Sequence, residues 1–333
     1  AYKALKSAVS SLAPRGAAPS PLAPPILAGK NYAGANQSGW IPPDTHGTVG
    51  LKHFVEVTNS QLNIYRKSDN VNVMSVSLNS FFGYPYPANP LIFDPRAIYD
   101  DTWDRYIIYG EAFPESGTVQ RLFIAISKTN NPTGAYWIYN VDIDIFDNGD
   151  FWDYGQLGMD QDSVFFTANI FNPGFIEARM FAVAKARLYN GLGWGVPVFT
   201  GLCGTLAPPI VLDQNRFAYF VGACDGTTLT VYRGQDLSNP WWSSLVWQAN
   251  IDVPDYGVPA SAAQPGTTAL IDTLDGRFVN ASTQYGDSLW NIHSIGWAGA
   301  GTAAAPKFYE IDVEGAGAKT INQQGMFWAG AHD

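Results

Sequence analysis

One sequence plan recurs five times along the chain and limits the fold more than any other feature. Each copy has a small or proline-containing opening, an apolar strand, an acidic or polar turn, and a second strand rich in aromatic residues. The copies begin at Pro43, Asp94, Gly155, Pro208 and Pro265. Further strands follow each copy, which gives the four-stranded unit typical of a β-propeller blade. We therefore predict an all-β propeller of five to seven blades, with a β-sandwich as the alternative.

Composition supports this fold class and excludes several functions. The 333 residues include 33 Gly and 22 Pro, which suit a chain with many turns, and no long window has the 3.6-residue period of a helix. The net charge of −10 argues against nucleic acid and anionic membrane surfaces as partners, because both require basic patches. No apolar run is long enough to predict a membrane-spanning helix.

The two ends of the chain differ from the repeats. Residues 1–32 are rich in Ala, Pro and Ser and are predicted to form an extended arm, because their prolines prevent a regular helix. Residues 33–333 are predicted to form the propeller domain. The fifth copy is complete near Val313, and the remaining tail is similar to the start of another blade. We expect an incomplete last blade whose open edge pairs with the arm or with a neighbouring subunit.

Several stretches, taken in order, resemble one known group of proteins. They are PPDTHGTVG with HFVEVTNS, DPRAIYD, IAISKTNNPTGAYWIY, DYGQLGMDQDSVFFTAN and LDGRFV, between about residues 40 and 330. Their order and spacing are similar to those of a family of bacterial secreted or surface β-propellers, most of which have no assigned activity. The resemblance implies a multi-bladed propeller and a secreted or cell-surface location. It implies no catalytic residue.

An acidic run provides the first candidate site. It contains Asp142, Asp144, Asp147 and Asp150, is continued by Asp153, and has a turn at Asn148-Gly149. Calcium prefers several oxygen ligands, so this run predicts a calcium site, although it lacks the last Glu of an EF-hand loop. The alternative is a solvated loop whose carboxylates cap turns.

Two histidines provide a second candidate site. His46 and His293 lie near predicted strand ends in the first and fifth copies. If the first and fifth copies are neighbours in a closed ring, the two imidazoles could bind a transition metal such as copper or zinc. The alternative is that each ring is a partly buried hydrogen-bonding group, since no recognised metal-ligand spacing is present.

Acidic residues at predicted strand ends provide a third candidate site. Glycosidases use two carboxyl groups at a defined separation, and Asp44, Asp94, Glu111 and Asp160 occupy such positions. Asp44, with His46 beside it, is the catalytic candidate of a carbohydrate-active propeller, either a glycoside hydrolase or a lyase. Asp94 precedes a proline and therefore also fits a purely structural turn. No serine nucleophile elbow is present.

The remaining signals concern the compartment and the overall role. Cys203 and Cys224 flank two predicted strands and are expected to form a disulfide, which fits an oxidising compartment. Asn36 and Asn280 begin glycosylation sequons. We predict a secreted or cell-surface protein that binds or assembles, with itself or another surface protein as partner, rather than an enzyme. A carbohydrate-active enzyme is the first alternative, and a histidine-based metal-binding protein is the second.

Overall fold

The computed structural model describes residues 32–36, 39–84, 91–297, 303–313 and 319–327. The predicted N-terminal arm lies outside the described residues except for Tyr32, and so does the end of the chain after Phe327. The described residues form two compact units. The first unit contains residues up to Leu202 together with Leu237–Ser243, and the second contains Cys203–Asp236 and the residues from Ser244 onward.

Three sets of four consecutive antiparallel strands follow one another in the first unit; the first two are separate sheets, and the third is part of a larger sheet. The first set consists of β1 (His46–Val49), β2 (His53–Thr58), β3 (Gln61–Arg66) and β4 (Val71–Ser77). The second consists of β5 (Ile92–Asp100), β6 (Arg105–Ala112), β7 (Arg121–Ser127) and β8 (Tyr136–Asp142). The third consists of β9 (Phe151–Met159), β10 (Ser163–Phe171), β11 (Phe175–Ala184) and β12 (Phe199–Leu202). Two single-turn helices, α1 (Leu78–Phe81) and α2 (Lys185–Leu188), follow β4 and β11.

The second unit is also built from strands. It begins with β13 (Pro209–Val211), β14 (Phe217–Ala223), β15 (Thr228–Gln235) and β16 (Ser244–Asp252), of which the last three form one antiparallel sheet. A short pair, β17 (Ala262–Ala263) and β18 (Leu270–Ile271), follows. The last strands are β19 (Ser282–Tyr285), β20 (Ser288–Trp297), β21 (Ala303–Asp312) and β22 (Thr320–Met326). β13 pairs with β19 in parallel, and β19 to β22 pair in sequence as an antiparallel sheet.

These meandering antiparallel sheets confirm the predicted all-β fold of the propeller class. The middle strands are buried on both faces, which explains why they are apolar without strict alternation: β7 is buried from Leu122 to Ser127 and β10 from Ser163 to Ile170. Within the part of the chain that the structure describes, no helix is long and apolar enough to cross a membrane.

The structure corrects two details of the predicted repeat. The third copy starts earlier than predicted, because β9 begins at Phe151 and not at Gly155. In the fifth copy, which begins at Pro265, the sequence plan predicts the aromatic-containing second strand at 277–281, but the next strand, β19, begins only at Ser282. Phe278 makes a single bridge to His293 and is fully buried against that ring, so its apolar character serves the core and not a ladder.

The first strands of the three sets in the first unit share a backbone irregularity. Asp44 and Asp94 have φ angles of 42° and 44°, and Tyr154 has 61°. The pairing of β5 with β6 shifts register between Phe93 and Arg96, and that of β9 with β10 shifts between Asp153 and Gln156, so the extra residue lies in the first strand in both cases. Such bulges change the direction of a side chain, and left-handed backbone at residues other than glycine is found frequently at functional sites.

Candidate functional site

Four acidic side chains from four strands or strand ends meet in the first unit. Oxygen atoms of Asp94, Glu111 and Asp153 all lie within 4.8 Å of one another. The carboxyl group of Asp44 is hydrogen-bonded to that of Asp94. Asp44 lies two residues before the start of β1, and the others lie in β5, β6 and β9. We call Asp44, Asp94, Glu111 and Asp153 the acidic cluster.

One buried amide connects two members of the acidic cluster. The side chain of Asn59, which follows β2, donates from Nδ2 to the Asp44 carboxylate and to the Pro42 carbonyl oxygen. Its Oδ1 accepts from the Asp94 backbone N–H at 2.8 Å. Because Asn59 is only 3% exposed, its amide holds Asp44 and Asp94 together in a fixed geometry.

Glu111 is the most deeply buried member of the acidic cluster. It is fully buried, accepts from the Tyr109 hydroxyl and from the Gly155 backbone N–H, and its Oε2 has no hydrogen-bond partner among the described residues. Trp152 Nε1 donates to the Tyr109 hydroxyl at 2.9 Å. Gly155 is required here, since a Cβ would lie 1.9 Å from the Tyr109 hydroxyl oxygen.

Burial and mutual repulsion keep protons on this cluster. Burial, followed by the charges of Asp44 and Asp153, raises the pKa of Asp94 to about 8. Burial, followed by the charges of Asp94 and Asp153, raises the pKa of Glu111 well above its ordinary value. Like charges this close cannot all be ionised at neutral pH. The cluster therefore combines protonated and ionised carboxyl groups at pH 7.

Arg96 and His46 border the acidic cluster. Arg96 Nε donates to the Gly155 carbonyl oxygen at 2.9 Å, which ties β5 to β9. His46 Nδ1 accepts from the Ala97 backbone N–H at 3.2 Å. Burial, and then the charge of Arg96, lowers the pKa of His46 to about 4, so its imidazole is neutral at pH 7. Its occupied Nδ1 means that His46 serves to position β5 and not as a base through that atom.

A row of aromatic rings is built from the same strands as the acidic cluster. Trp40 stacks on Phe113 with ring centroids 6.3 Å apart, Phe113 lies 4.5 Å from Phe93, and Phe93 lies 6.2 Å from Phe151. Phe93 directly precedes Asp94, Phe113 follows Glu111 by two residues, and Phe151 precedes Asp153 by two residues. Phe113 is 39% exposed. Acidic groups beside partly exposed rings are typical of a small-molecule binding site.

The predicted calcium run forms different contacts. The Asp144 carboxylate accepts from the backbone N–H groups of Asn148 and Gly149, and Asp150 is paired with Arg179 at 2.5 Å. Asp142 accepts from the Gln120 and Asp144 backbone N–H groups, and Asp147 is exposed at the turn. Asp153, the last member of the run, belongs to the acidic cluster. Calcium binding by Asp142, Asp144, Asp147 and Asp150 stays a prediction.

The predicted histidine site divides between the two units. His46 lies in the first unit. In the second unit His293 is 2% exposed, and its ring nitrogens contact the Gly276 carbonyl oxygen at 2.5 Å and the Tyr309 hydroxyl at 3.2 Å. Burial, the largest cause, lowers the pKa of His293 to about 4. These contacts fit the hydrogen-bonding alternative for both rings, and the two-histidine metal site stays a prediction.

Other predicted residues have clear positions. Asp160 is not part of the acidic cluster; it accepts from the Asp162 and Ser163 backbone N–H groups in the turn between β9 and β10. The Cys203–Cys224 disulfide is confirmed, with Cα atoms 5.9 Å apart. Asn36 and Asn280, which begin the sequons, are both exposed.

Sequence reasoning missed two parts of the site. Asp153 was read as the end of the acidic run, although it precedes the third repeat just as Asp44 and Asp94 stand at the first and second. Aligning the copies on that acidic position would have revealed it. Asn59 carries no local signal, because its role depends on β2 lying beside β5. By its chemistry, the trio Asp94, Glu111 and Asp153 could also surround one hard cation.

No family model and no curated protein sequence matches the chain. It is similar to the solved structure of an exo-β-1,3-galactanase from Phanerochaete chrysosporium, with 14% identity and a TM-score of 0.43 over 84% of this chain and 62% of that one. It is also similar to a xylan β-1,4-xylosidase from Bacillus halodurans, with 14% identity and a TM-score of 0.43 over 85% of this chain and 55% of that one. For a GH43 endo-arabinanase from Bacillus licheniformis the identity is 12% and the TM-score 0.40, over 83% of this chain and 96% of that one.

The chain thus spans 62% of the galactanase and 55% of the xylosidase. At these identities and TM-scores the likeness assigns no activity to this chain. The predicted relationship to bacterial secreted or surface propellers is likewise a resemblance of motifs, and no family is assigned.

Proposed function

We propose that the protein is a carbohydrate-active enzyme that hydrolyses glycosidic bonds at the acidic cluster. The observation that carries this proposal is the convergence of Asp44, Asp94, Glu111 and Asp153 from separate strands. Among carboxyl groups this close, some hold a proton and others are ionised, which is the combination that glycoside hydrolysis requires. This reverses the order of our two main sequence-based alternatives, in which binding without catalysis came first.

The contacts within the cluster suggest a role for each side chain. Asp94 shares a hydrogen bond with Asp44 and holds a proton at neutral pH, so we assign it as the group that protonates the leaving oxygen. Asp44 is too close to Asp94 for a water to stand between them, and it acts with Asp94 as one proton-holding pair. Asp153, with a carboxylate oxygen within 4.8 Å of Asp94, is then the ionised carboxylate that hydrolysis requires beside the acid. Buried Glu111 positions the others.

The aromatic row supplies a place for the sugar. Phe113 is 39% exposed, and pyranose rings bind exposed aromatic rings through their C–H groups while their hydroxyls meet polar side chains. This arrangement supports carbohydrate over a charged or extended peptide ligand. A secreted or cell-surface location, which the disulfide favours, is part of the same proposal.

The test is hydrolysis of neutral polysaccharides by the full chain. The names of the similar solved structures suggest galactan, xylan and arabinan as the first panel. We expect reducing ends to be released from at least one of them, and Asp94→Asn to lower the rate at least about 100-fold, because it removes a general acid. Asp160→Asn is the matched control, since Asp160 also follows a strand but caps a turn.

Two results would overturn the proposal. One is the absence of hydrolysis across a broad panel of glycans by folded protein. The other is an Asp94→Asn variant with the rate of the unchanged chain. If glycans bind without being cleaved, the binding role predicted from the sequence takes the place of catalysis.

A further inference from the structure

A second row of aromatic rings crosses the last strands of the second unit. Trp290 in β20 stacks on Phe308 in β21, with centroids 6.3 Å apart and planes 20° from parallel. Phe308 lies 5.7 Å from Phe327, which directly follows β22. An open cavity of about 420 Å³ runs along these three rings. We call this cavity the aromatic groove.

The register of the strands places the three rings on one face. Phe308 is opposite Ile292, so Trp290 is its diagonal neighbour on β20. On the other side Phe308 is opposite Gly325, and Phe327 lies two residues further on. Gly325 leaves room for the ring, because a Cβ there would lie 2.7 Å from a Phe308 ring carbon. The row is therefore a product of strand pairing and not of a loop.

The other residues that line the aromatic groove are uncharged. Thr283 on β19 is opposite Trp290 and extends the row by one strand. The Asn291 side-chain amide donates to Ser282 Oγ at 2.8 Å and to the Asn280 carbonyl oxygen at 3.2 Å, which turns it toward buried Ser282 and away from the face of Trp290. The lining residues are Asn280, Ala281, Thr283, Trp290, Asn291, Ile292, Phe308 and Phe327. In a chain with a net charge of −10, this uncharged surface favours a neutral ligand.

We propose that the aromatic groove binds a chain of a neutral polysaccharide, at a site separate from the acidic cluster. Successive sugar rings would stack on Trp290, Phe308 and Phe327, whose spacing is on the scale of one sugar residue, while hydroxyl groups meet the polar side chain of Thr283. An anionic polymer gains no ion pair here, and a protein partner would leave the ordered row of rings without a specific role. The proposal does not depend on whether the acidic cluster hydrolyses anything.

The test is affinity electrophoresis of the full chain in native gels that contain xylan, galactan or arabinan. We expect at least one polysaccharide to retard the protein, and Phe327→Ala to weaken the apparent affinity about threefold to tenfold. Phe327 is 63% exposed, so its replacement leaves the packing of the sheet intact. Trp241→Ala is the matched control, because Trp241 is 87% exposed and lies outside the groove.

Each outcome decides the proposal. Retardation that Phe327→Ala weakens and Trp241→Ala does not would support it. The absence of retardation by any polysaccharide, an unchanged Phe327→Ala variant, or an equal loss in Trp241→Ala would overturn it. Retardation and hydrolysis are measured separately, so retardation that Phe327→Ala weakens supports the groove even where the acidic cluster hydrolyses nothing.

Discussion

Two groups of aspartates in the first unit look alike in composition and differ in how their charges are satisfied. In the loop from Asp142 to Asp150, the carboxylates of Asp142 and Asp144 accept backbone N–H groups and that of Asp150 pairs with Arg179. In the acidic cluster, Asp94 faces Asp44, Glu111 and Asp153, and Glu111 Oε2 has no partner among the described residues. Carboxylates that are satisfied stabilise a fold, whereas carboxylates forced together keep protons and gain chemical reactivity.

The largest expected loss of stability comes from removing Arg179, the partner of Asp150 in the loop from Asp142 to Asp150. Arg179 is 4% exposed and pairs with Asp150 at 2.5 Å and with Glu177 at 2.6 Å. Arg179→Met should lower the free energy of unfolding by about 3–5 kcal/mol, because it leaves buried charge without a partner. Urea denaturation measures this change. Arg66→Met is the control, since its pair with Asp69 is exposed and should contribute nothing measurable. Equal effects of the two changes would contradict the contrast between the two groups.

The next effect concerns the dependence of stability on pH. An unfolded chain ionises Asp94 near pH 4, whereas the folded protein holds that proton up to a pKa of about 8. The folded state therefore binds more protons in this window, and stability should fall as the pH rises from 4 to 8.

Asp94→Asn removes this titration and should flatten the profile, with a gain of up to about 5 kcal/mol at pH 8 relative to pH 4, because each pKa unit corresponds to about 1.4 kcal/mol. Urea denaturation at several pH values measures it. Asp147→Asn makes the same change at an exposed position and should leave the profile unaltered. A profile that Asp94→Asn leaves as steep as before would show that Asp94 is ionised in the folded protein.

The smallest expected loss of stability comes from a change within the loop from Asp142 to Asp150. Asp144→Ala removes the acceptor for two backbone N–H groups and should lower the free energy of unfolding by about 1 kcal/mol. Thermal denaturation with and without calcium measures both this loss and the predicted calcium site. Stabilisation by calcium that disappears in Asp144→Ala would confirm the site. A calcium effect that survives this change would place the ion elsewhere.

The sequence alone predicted the fold class and singled out three of the four members of the acidic cluster. The repeated plan predicts strands because apolar runs between turn signals can be recognised locally, and Asp44, Asp94 and Glu111 stand out as acids at strand ends. The Cys203–Cys224 pair follows from cysteine count, and the disulfide agrees. These features depend on residues close in sequence or on composition, so local patterns are sufficient to detect them.

Only the tertiary structure decided which acids meet. Asp153 lies beside Asp150 in the sequence, yet the bulged backbone at Tyr154 accompanies its placement in the acidic cluster, and Asn59 joins β2 to β5 across 35 residues. Asp160 looks equivalent to Asp94 by sequence but caps a turn. The reason is physical: strand register and left-handed backbone set the direction of each side chain, and a carboxylate's chemistry is decided by what lies within a few ångströms of it.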